Sequence, residues 1–234
     1  MDFISGEIFC IDKPYGWTSF DAVKRLRGAV QRKLKVKKFK VGHAGTLDPL
    51  ATGVLIVCTG RATRLVESLQ NGEKEYIATL RLGATTPSYD LEKEIDREYP
   101  WQHISRENIL EVLPKFCGHI MQVPPVFSAV KIDGKRAYNF ARKGKDVELK
   151  PKALEIKEIE LMQCNLPEIT LRIVCSKGTY IRALARDIGE ALNSGAHLTA
   201  LKRTKVGNVK LENCLSVDET VKKIDEAELT FPDN

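Results

Sequence analysis

The feature that most constrains the fold is a five-residue apolar run, Val54-Leu55-Ile56-Val57-Cys58, set behind the glycine-rich stretch GHAGTLDPLATG. A short apolar run bounded by turn signals reads as a strand buried in a core. One carboxylate, Asp48, stands at its mouth among small and apolar residues. Pro49 pushes Asp48 out of the helical region into an extended conformation. Glycines at 42, 45 and 53 let the backbone turn tightly and let a neighbour approach closely. Asp and Pro both favour turns, so a plain turn is the simplest reading of the acid. A partly desolvated carboxylate kept ionised by a cation would instead serve as a nucleophile or base. The stretch is not a phosphate loop, because no G-K-[ST] follows it.

Other segments give the class. Ile8–Ile11, Glu75–Leu82, Val126–Ile132, Ala153–Cys164 and Ile169–Cys175 read as strands, the last two paired through a turn at Asn165–Pro167. A final strand is expected over Val206–Leu211. Phe20, Val23, Leu26, Val30 and Leu34 recur at helical spacing behind Thr18 or Ser19 as a cap. Gly28 weakens that helix. Ala62–Leu69, Ile109–Phe116 and Arg136–Arg142 are further short helices. Thr179 is expected to cap a helix whose apolar face is Ile181, Leu184, Ala185, Ile188 and Leu192. Hairpins join strands as often as helices do, which predicts an α+β fold with a mixed, largely antiparallel sheet.

Charge points to a partner. Lys24–Lys40 (KRLRGAVQRKLKVKKFK) carries nine Lys or Arg and no acid, while the whole chain is only +6, so the remainder is net acidic. A solvated face is the plain reading. The density without compensating acids favours a polyanion such as nucleic acid, with Lys33, Lys35, Lys37 and Lys38 as backbone contacts. No apolar run reaches the ~18 residues a membrane helix needs, and the first ten residues do not read as a signal peptide. A cytoplasmic protein with no membrane partner is expected. Six cysteines without a C-x-x-C and four scattered histidines do not make a zinc-site pattern; no metal is expected.

A cation for Asp48 stands far along the chain, in CSKGTYIRALARDIG. Arg182 lies in the first turn of the predicted helix, and arginine holds a carboxylate through two parallel hydrogen bonds. Its plain alternative is a surface pair, for instance with Glu190. Lys177 and Gly178 ahead of the helix would suit a phosphate at its N-terminus. Tyr76 and Tyr180 read as half-buried core residues, or as platforms for unstacked bases if the partner is RNA.

Taken together, KPYGWTS, VGHAGTLDPLATGVLIVCTGRATR, KEYIATLRLG, QVPPVFSAVKIDGKRAY, CSKGTYIRALARDIG and LTALKRTKVG make the chain resemble the TruB family of tRNA pseudouridine synthases, from about Gly6 to Gly207. The resemblance implies the pseudouridine-synthase fold, with a catalytic cleft. It also implies isomerisation of uridine at position 55 in the T loop of tRNA, without metal or cofactor; a monomer is expected. It places the essential aspartate at Asp48, the base-stacking tyrosine at Tyr76 and the arginine that pairs with the aspartate at Arg182. Substrate contacts fall on His43, Tyr180 and Leu201. Thr86-Pro87-Ser88-Tyr89-Asp90-Leu91-Glu92-Lys93 departs from the family's T-D-T-x-D-x-x-G, although Asp90 is kept, and Phe127 replaces a common tyrosine. The expected organisation is a catalytic domain over 1–213 and a short C-terminal segment over 214–234, without the RNA-binding PUA domain that many relatives carry. A non-catalytic tRNA-binding module with the same fold is the alternative reading.

Overall fold

The computed structural model describes residues 1–128, 131–132, 135–136 and 149–230. In chain order its elements are β1 (Ile8–Lys13), α1 (Ser19–Leu34), β2 (Val41–Ala44), β3 (Ala51–Thr59), α2 (Val66–Gln70), β4 (Lys74–Leu82), β5 (Ala84–Thr85), β6 (Arg97–Glu98), α3 (Arg106–Val112), β7 (Gly118–Gln122), β8 (Lys131–Ile132), β9 (Lys135–Arg136), β10 (Lys152–Asn165), β11 (Glu168–Cys175), α4 (Ile181–Ala191), β12 (Ala196–Val206), β13 (Val209–Lys210), β14 (Leu215–Ser216) and α5 (Val217–Glu226). The chain divides into two compact units, Met1–Glu75 with Lys202–Asn234, and Tyr76–Leu201.

The first unit is built around β3. β1 runs antiparallel along one edge, from Ile8 opposite Cys58 to Lys13 opposite Gly53, and β14 lies parallel beyond it. On the other edge β2 pairs with the Ile56–Thr59 end. Leu55 and Val57 face a core made with Phe9, Ile11, Val23, Leu26, Val30, Val217, Val221 and Ile224. Val54, Ile56 and Cys58 face a second core with Ala44, Ala62 and Val206. Both faces of β3 are thus covered, which is why its sequence is continuously apolar rather than alternating.

Thr18 caps α1: its Oγ1 accepts from Asp21 N–H at 3.1 Å, and Asp21 Oδ2 accepts from Thr18 N–H at 2.9 Å, a reciprocal capping box. The helix ends at Lys35, whose left-handed backbone (φ 55°) stops it. Its buried face is Ser19, Ala22, Val23, Leu26, Ala29 and Val30. Phe20, expected on that face, is 59% exposed, with the Arg27 guanidinium 5.7 Å from its ring. Ala22 and Ala29 lie instead in the core formed with residues of β1 and β3. Gly28 keeps ordinary helical dihedrals, and an added Cβ would meet only Arg32 Nη1, at 3.7 Å. Gly28→Ala should therefore stabilise the protein by about 1 kcal/mol, raising Tm by ~3 °C in a thermal melt. No gain would mean that the glycine is needed for something other than helix formation.

In the second unit β4 buries Tyr76, Ala78, Leu80 and Leu82 on one face. The strand order is β4–β11–β10–β7, and β10 and β11 form the expected antiparallel hairpin, closing from Asn165 opposite Glu168. All five expected apolar residues of α4 are buried.

Several expectations change. Ala62–Leu69 is 3-10 helix as far as Leu65 and α-helical only from Val66. α3 begins at Arg106, capped by Ser105, ahead of the expected Ile109. Val126–Ser128 are bends rather than strand. The Asp133-Gly134 turn, and the expected helix over 136–142 beyond Arg136, lie outside the described residues. β2, β7 and most of β12 were not anticipated. The segment from Cys214 includes a capped helix, α5, whose Val217, Val221 and Ile224 complete the first unit's core. No helix among the described residues is long and apolar enough to cross a membrane.

Candidate active site

Asp48 sits in the loop Gly45–Leu50 that joins β2 to β3. Its carbonyl accepts from Ala51 N–H at 3.1 Å, closing the expected turn. Three buried groups of the first unit hold this loop. Ser19 Oγ donates to Leu47 O (3.0 Å) and accepts from Leu47 N–H (2.8 Å). The Lys13 ammonium donates to Pro14 O (2.8 Å), Trp17 O (2.6 Å) and Pro49 O (3.3 Å). The Arg203 guanidinium donates through Nε to Val54 O (2.8 Å), Nη2 to Gly45 O (3.1 Å) and Nη1 to Thr46 O (3.4 Å). Lys13 and Arg203 are both essentially inaccessible to solvent.

Such burial is costly for a cation unless its donors are satisfied. Burial lowers Lys13 to about 8, and the negative charge of Asp48 is the leading influence in the opposite direction. At neutral pH Lys13 therefore remains mostly an ammonium, and it places positive charge near the acid. Gly53 (φ 103°) completes the arrangement: a Cβ there would lie 2.2 Å from Arg203 O, so the strand carrying Arg203 reaches the loop only because residue 53 lacks a side chain.

His43 lies on β2, opposite Val57. Burial, first, and the Arg203 charge, second, push its imidazole below the usual range, only partly offset by the Gly45 backbone. The ring is thus neutral at pH 7. Its Nδ1 is buried with no hydrogen bond of regular geometry among the described residues.

The basic segment is less uniform than its sequence. Acids supplied by α5 reach it: Asp218 pairs with Arg25 at 3.6 Å, Asp225 with Arg32 at 3.5 Å, and Lys33 donates to Asp225 O at 2.7 Å. Lys35, Lys37 and Lys38 are exposed beyond the helix end. If these three lysines contact RNA phosphates, replacing them with glutamine should weaken binding and reduce the slope of log K against log[salt] by about 2. An unchanged slope in a filter-binding titration would make them a solvated face.

In the second unit Tyr76 is buried on β4, and Leu201 lies half-buried on β12. Tyr180, not Thr179, is the cap position of α4, and it caps without its side chain. Thr179 Oγ1 instead donates to Ser176 O at 3.1 Å. The Gln122 amide fixes Tyr180, accepting from its N–H (2.9 Å) and donating to its carbonyl (3.1 Å). Arg182 is 5% exposed, so the expected surface alternative with Glu190 does not describe it. It donates to Ser88 O (3.1 Å) and Phe127 O (2.9 Å), and its Nε lies 3.6 Å from the carboxylate of Asp90. The departing segment 86–93 therefore supports Arg182 through its backbone and Asp90. Lys177 is exposed in the turn before α4, next to Gly178 at φ 90°.

Asp48 and His43 thus belong to one unit, and Tyr76, Tyr180, Arg182 and Leu201 to the other. Lys13, Arg203 and Gln122 were not singled out from the sequence. Lys13 and Arg203 stand inside the strings KPYGWTS and LTALKRTKVG, but a lone basic residue reads as exposed until its carbonyl partners are known. Among the described residues no group of three or more His, Cys, Asp or Glu is placed to hold a metal ion.

Residues 31–181 match the family described as TruB family pseudouridylate synthase (N terminal domain), and residues 182–229 match the tRNA pseudouridylate synthase B C-terminal domain. The chain is 66% identical over 229 residues to the tRNA pseudouridine synthase B of Phocaeicola vulgatus, covering 98% of this chain and 97% of that one. It is 62% identical over 233 residues to the protein of the same name from Bacteroides fragilis, covering both fully. Among solved structures it resembles a chain in the crystal structure of a Cbf5-Nop10-Gar1 complex, with TM-score 0.70 and 30% identity over 95% of this chain. It spans about half of that chain, 55%.

Proposed function

Because the chain belongs to the TruB family of pseudouridylate synthases, we propose that it isomerises uridine to pseudouridine at position 55 in the T loop of tRNA. The reaction breaks the bond between N1 of the base and C1′ of the ribose, turns the base and joins C5 to C1′. The proton on C5 is lost and N1 gains one. Atoms and electrons are conserved, so the rearrangement itself calls for no redox partner or group donor. The observation that carries the reading is Asp48, the one carboxylate in its loop, held by three buried groups in a chain whose relatives are named for this activity.

In this reading Asp48 is the essential carboxylate and Arg182 the arginine that pairs with it, with Asp90 and two carbonyls holding the guanidinium in place. Tyr76 stacks on the target base. A uridine in a folded loop must leave its stack to be reached, and stacking on an aromatic ring offsets part of that cost. His43, Tyr180 and Leu201 contact the opened loop, with His43 as a neutral ring. Lys33, Lys35, Lys37, Lys38 and Lys177 attract the phosphate backbone without reading sequence. The 1–213 stretch is the catalytic part, and α5 of the remainder supports it by completing the first unit's core.

The test is incubation with an unmodified tRNA transcript, followed by mapping of pseudouridine at nucleotide resolution. Modification confined to the T-loop uridine is expected. Binding of the transcript without any pseudouridine would favour the non-catalytic module.

A further inference from the structure

We propose that Arg203 is a positioning residue for the reaction, a buried clamp that fixes the loop carrying Asp48. The inference rests on the reading of Asp48 as the essential carboxylate and adds a residue to it. Three observations within the first unit carry it.

The three carbonyls that Arg203 binds are not scattered. Gly45 and Thr46 open the loop and Val54 lies just beyond its close, so one rigid guanidinium spans the stretch in which Asp48 sits. Its planar fork of five donors suits several fixed acceptors, which a lysine ammonium cannot match in the same directions. The backbone around it is built for this approach: Gly53, at φ 103°, would carry its Cβ 2.2 Å from Arg203 O and 2.9 Å from Arg203 N. Finally, Arg203 is 2% exposed, and its hydrogen bonds to Val54, Gly45 and Thr46 go to backbone carbonyls, not to an acid. A buried cation whose donors go to backbone carbonyls is costly as a stabilising device, because apolar side chains fill a core at least as well. It makes sense where a particular backbone geometry must be held.

A second consequence follows from the charge. Of the charged groups around this loop, namely Asp12 and Lys13 on β1, Asp48 itself and Arg203 on β12, Arg203 is the one whose field opposes protonation of His43. The same residue thus holds the loop and adds to the burial that keeps a neighbouring ring neutral.

The two roles separate in Arg203→Lys and Arg203→Met. Lysine keeps the charge and loses the three-carbonyl fork; methionine loses both. Three measurements are made on each folded protein: kcat and KM on a T-arm stem-loop RNA, amide exchange of the 44–53 peptide, and the titration of the His43 ring by NMR. For Arg203→Lys, kcat should fall about 30- to 100-fold with KM changed less than about threefold, because a misplaced reacting group costs rate rather than binding. Exchange of 44–53 should rise ~10-fold while β10–β11 is unchanged, and His43 should titrate as in the wild type. For Arg203→Met the losses should be at least as large, and the His43 titration should move up toward its ordinary range. Wild-type kcat in Arg203→Lys would overturn the proposal. So would unaltered exchange of 44–53, or a rise spread evenly over the molecule. If Arg203→Met does not fold, Arg203→Lys decides alone. A wild-type protein that makes no pseudouridine would sink the functional reading instead, and the exchange measurement would still report whether Arg203 holds the loop.

Discussion

Asp48→Asn should remove pseudouridine formation on a T-arm stem-loop by about 10⁴-fold or more, the scale at which loss of an essential catalytic group is felt. RNA affinity should stay within about threefold, a change of under 1 kcal/mol. The asymmetry follows from the site. Asparagine keeps the shape of the side chain, and the loop is held through backbone groups: Leu47 by Ser19, Pro49 by Lys13, and Gly45 and Thr46 by Arg203. None of those bonds uses the carboxylate. The substitution therefore subtracts a charge from a loop that keeps its geometry. Turnover by the mutant within tenfold of wild type would remove Asp48 from the mechanism. Loss of RNA binding in parallel would make the residue a binding contact. Single-turnover assays beside filter binding separate the two.

The largest effect on stability is expected at Gly53. Gly53→Ala forces a side chain onto a backbone at φ 103° and places its Cβ 2.2 Å from Arg203 O, 2.9 Å from Arg203 C and 2.9 Å from Arg203 N. Strain at such a backbone position costs about 1–3 kcal/mol, and overpacking against atoms that cannot move costs a similar amount. Together they predict a loss of about 4 kcal/mol and a fall in Tm of ~10 °C. The neighbour here is main chain, not the end of a flexible side chain, so relaxation must move β12 itself. Activity should fall further than stability alone requires, because that movement carries the Arg203 clamp with it. A Tm within ~2 °C of wild type would show that β12 shifts freely and that the close approach is unimportant. The contrast with Gly28→Ala is instructive. Gly28 has ordinary helical dihedrals and open space, and the same chemical change there should stabilise.

Local periodicity carried much of the secondary structure. β1, β3, β4 and the β10–β11 hairpin lie within a few residues of where alternation and turn signals place them, and α4 buries the face its spacing predicts. Val54–Cys58 was legible because a strand covered on both faces has no reason to alternate. β12 was not. Its sequence AHLTALKRTKV mixes threonine, lysine and arginine, and Arg203 breaks the apolar pattern while being one of the most buried residues in the protein. A local window counts arginine as polar. Its burial is made possible by three carbonyls, two from the 45–46 loop and one from β3, all about 150 residues away. The Phe20 error has the same origin: spacing alone placed it on the inner face, but Ala22 and Ala29 lie in the core instead. The acids that meet the basic segment were likewise hidden, since Asp218 and Asp225 are nearly 200 residues beyond it.

By itself the sequence determined that the chain is α+β, that an apolar strand follows a tight turn with an acid at its mouth, and that Asp48, Tyr76 and Arg182 occupy the motifs of one enzyme family. The first two depend on residue types at short spacing, where backbone preference and apolar periodicity act directly; the third rests on the resemblance of whole sequence strings to the family. Only the tertiary structure decided what holds the acid's loop. A buried cation is stable only when its donors are satisfied: Arg203 takes all three of its carbonyls from residues 45, 46 and 54, and Lys13 joins the local carbonyls of residues 14 and 17 to the distant carbonyl of residue 49, so both became visible as part of the site only in the folded chain.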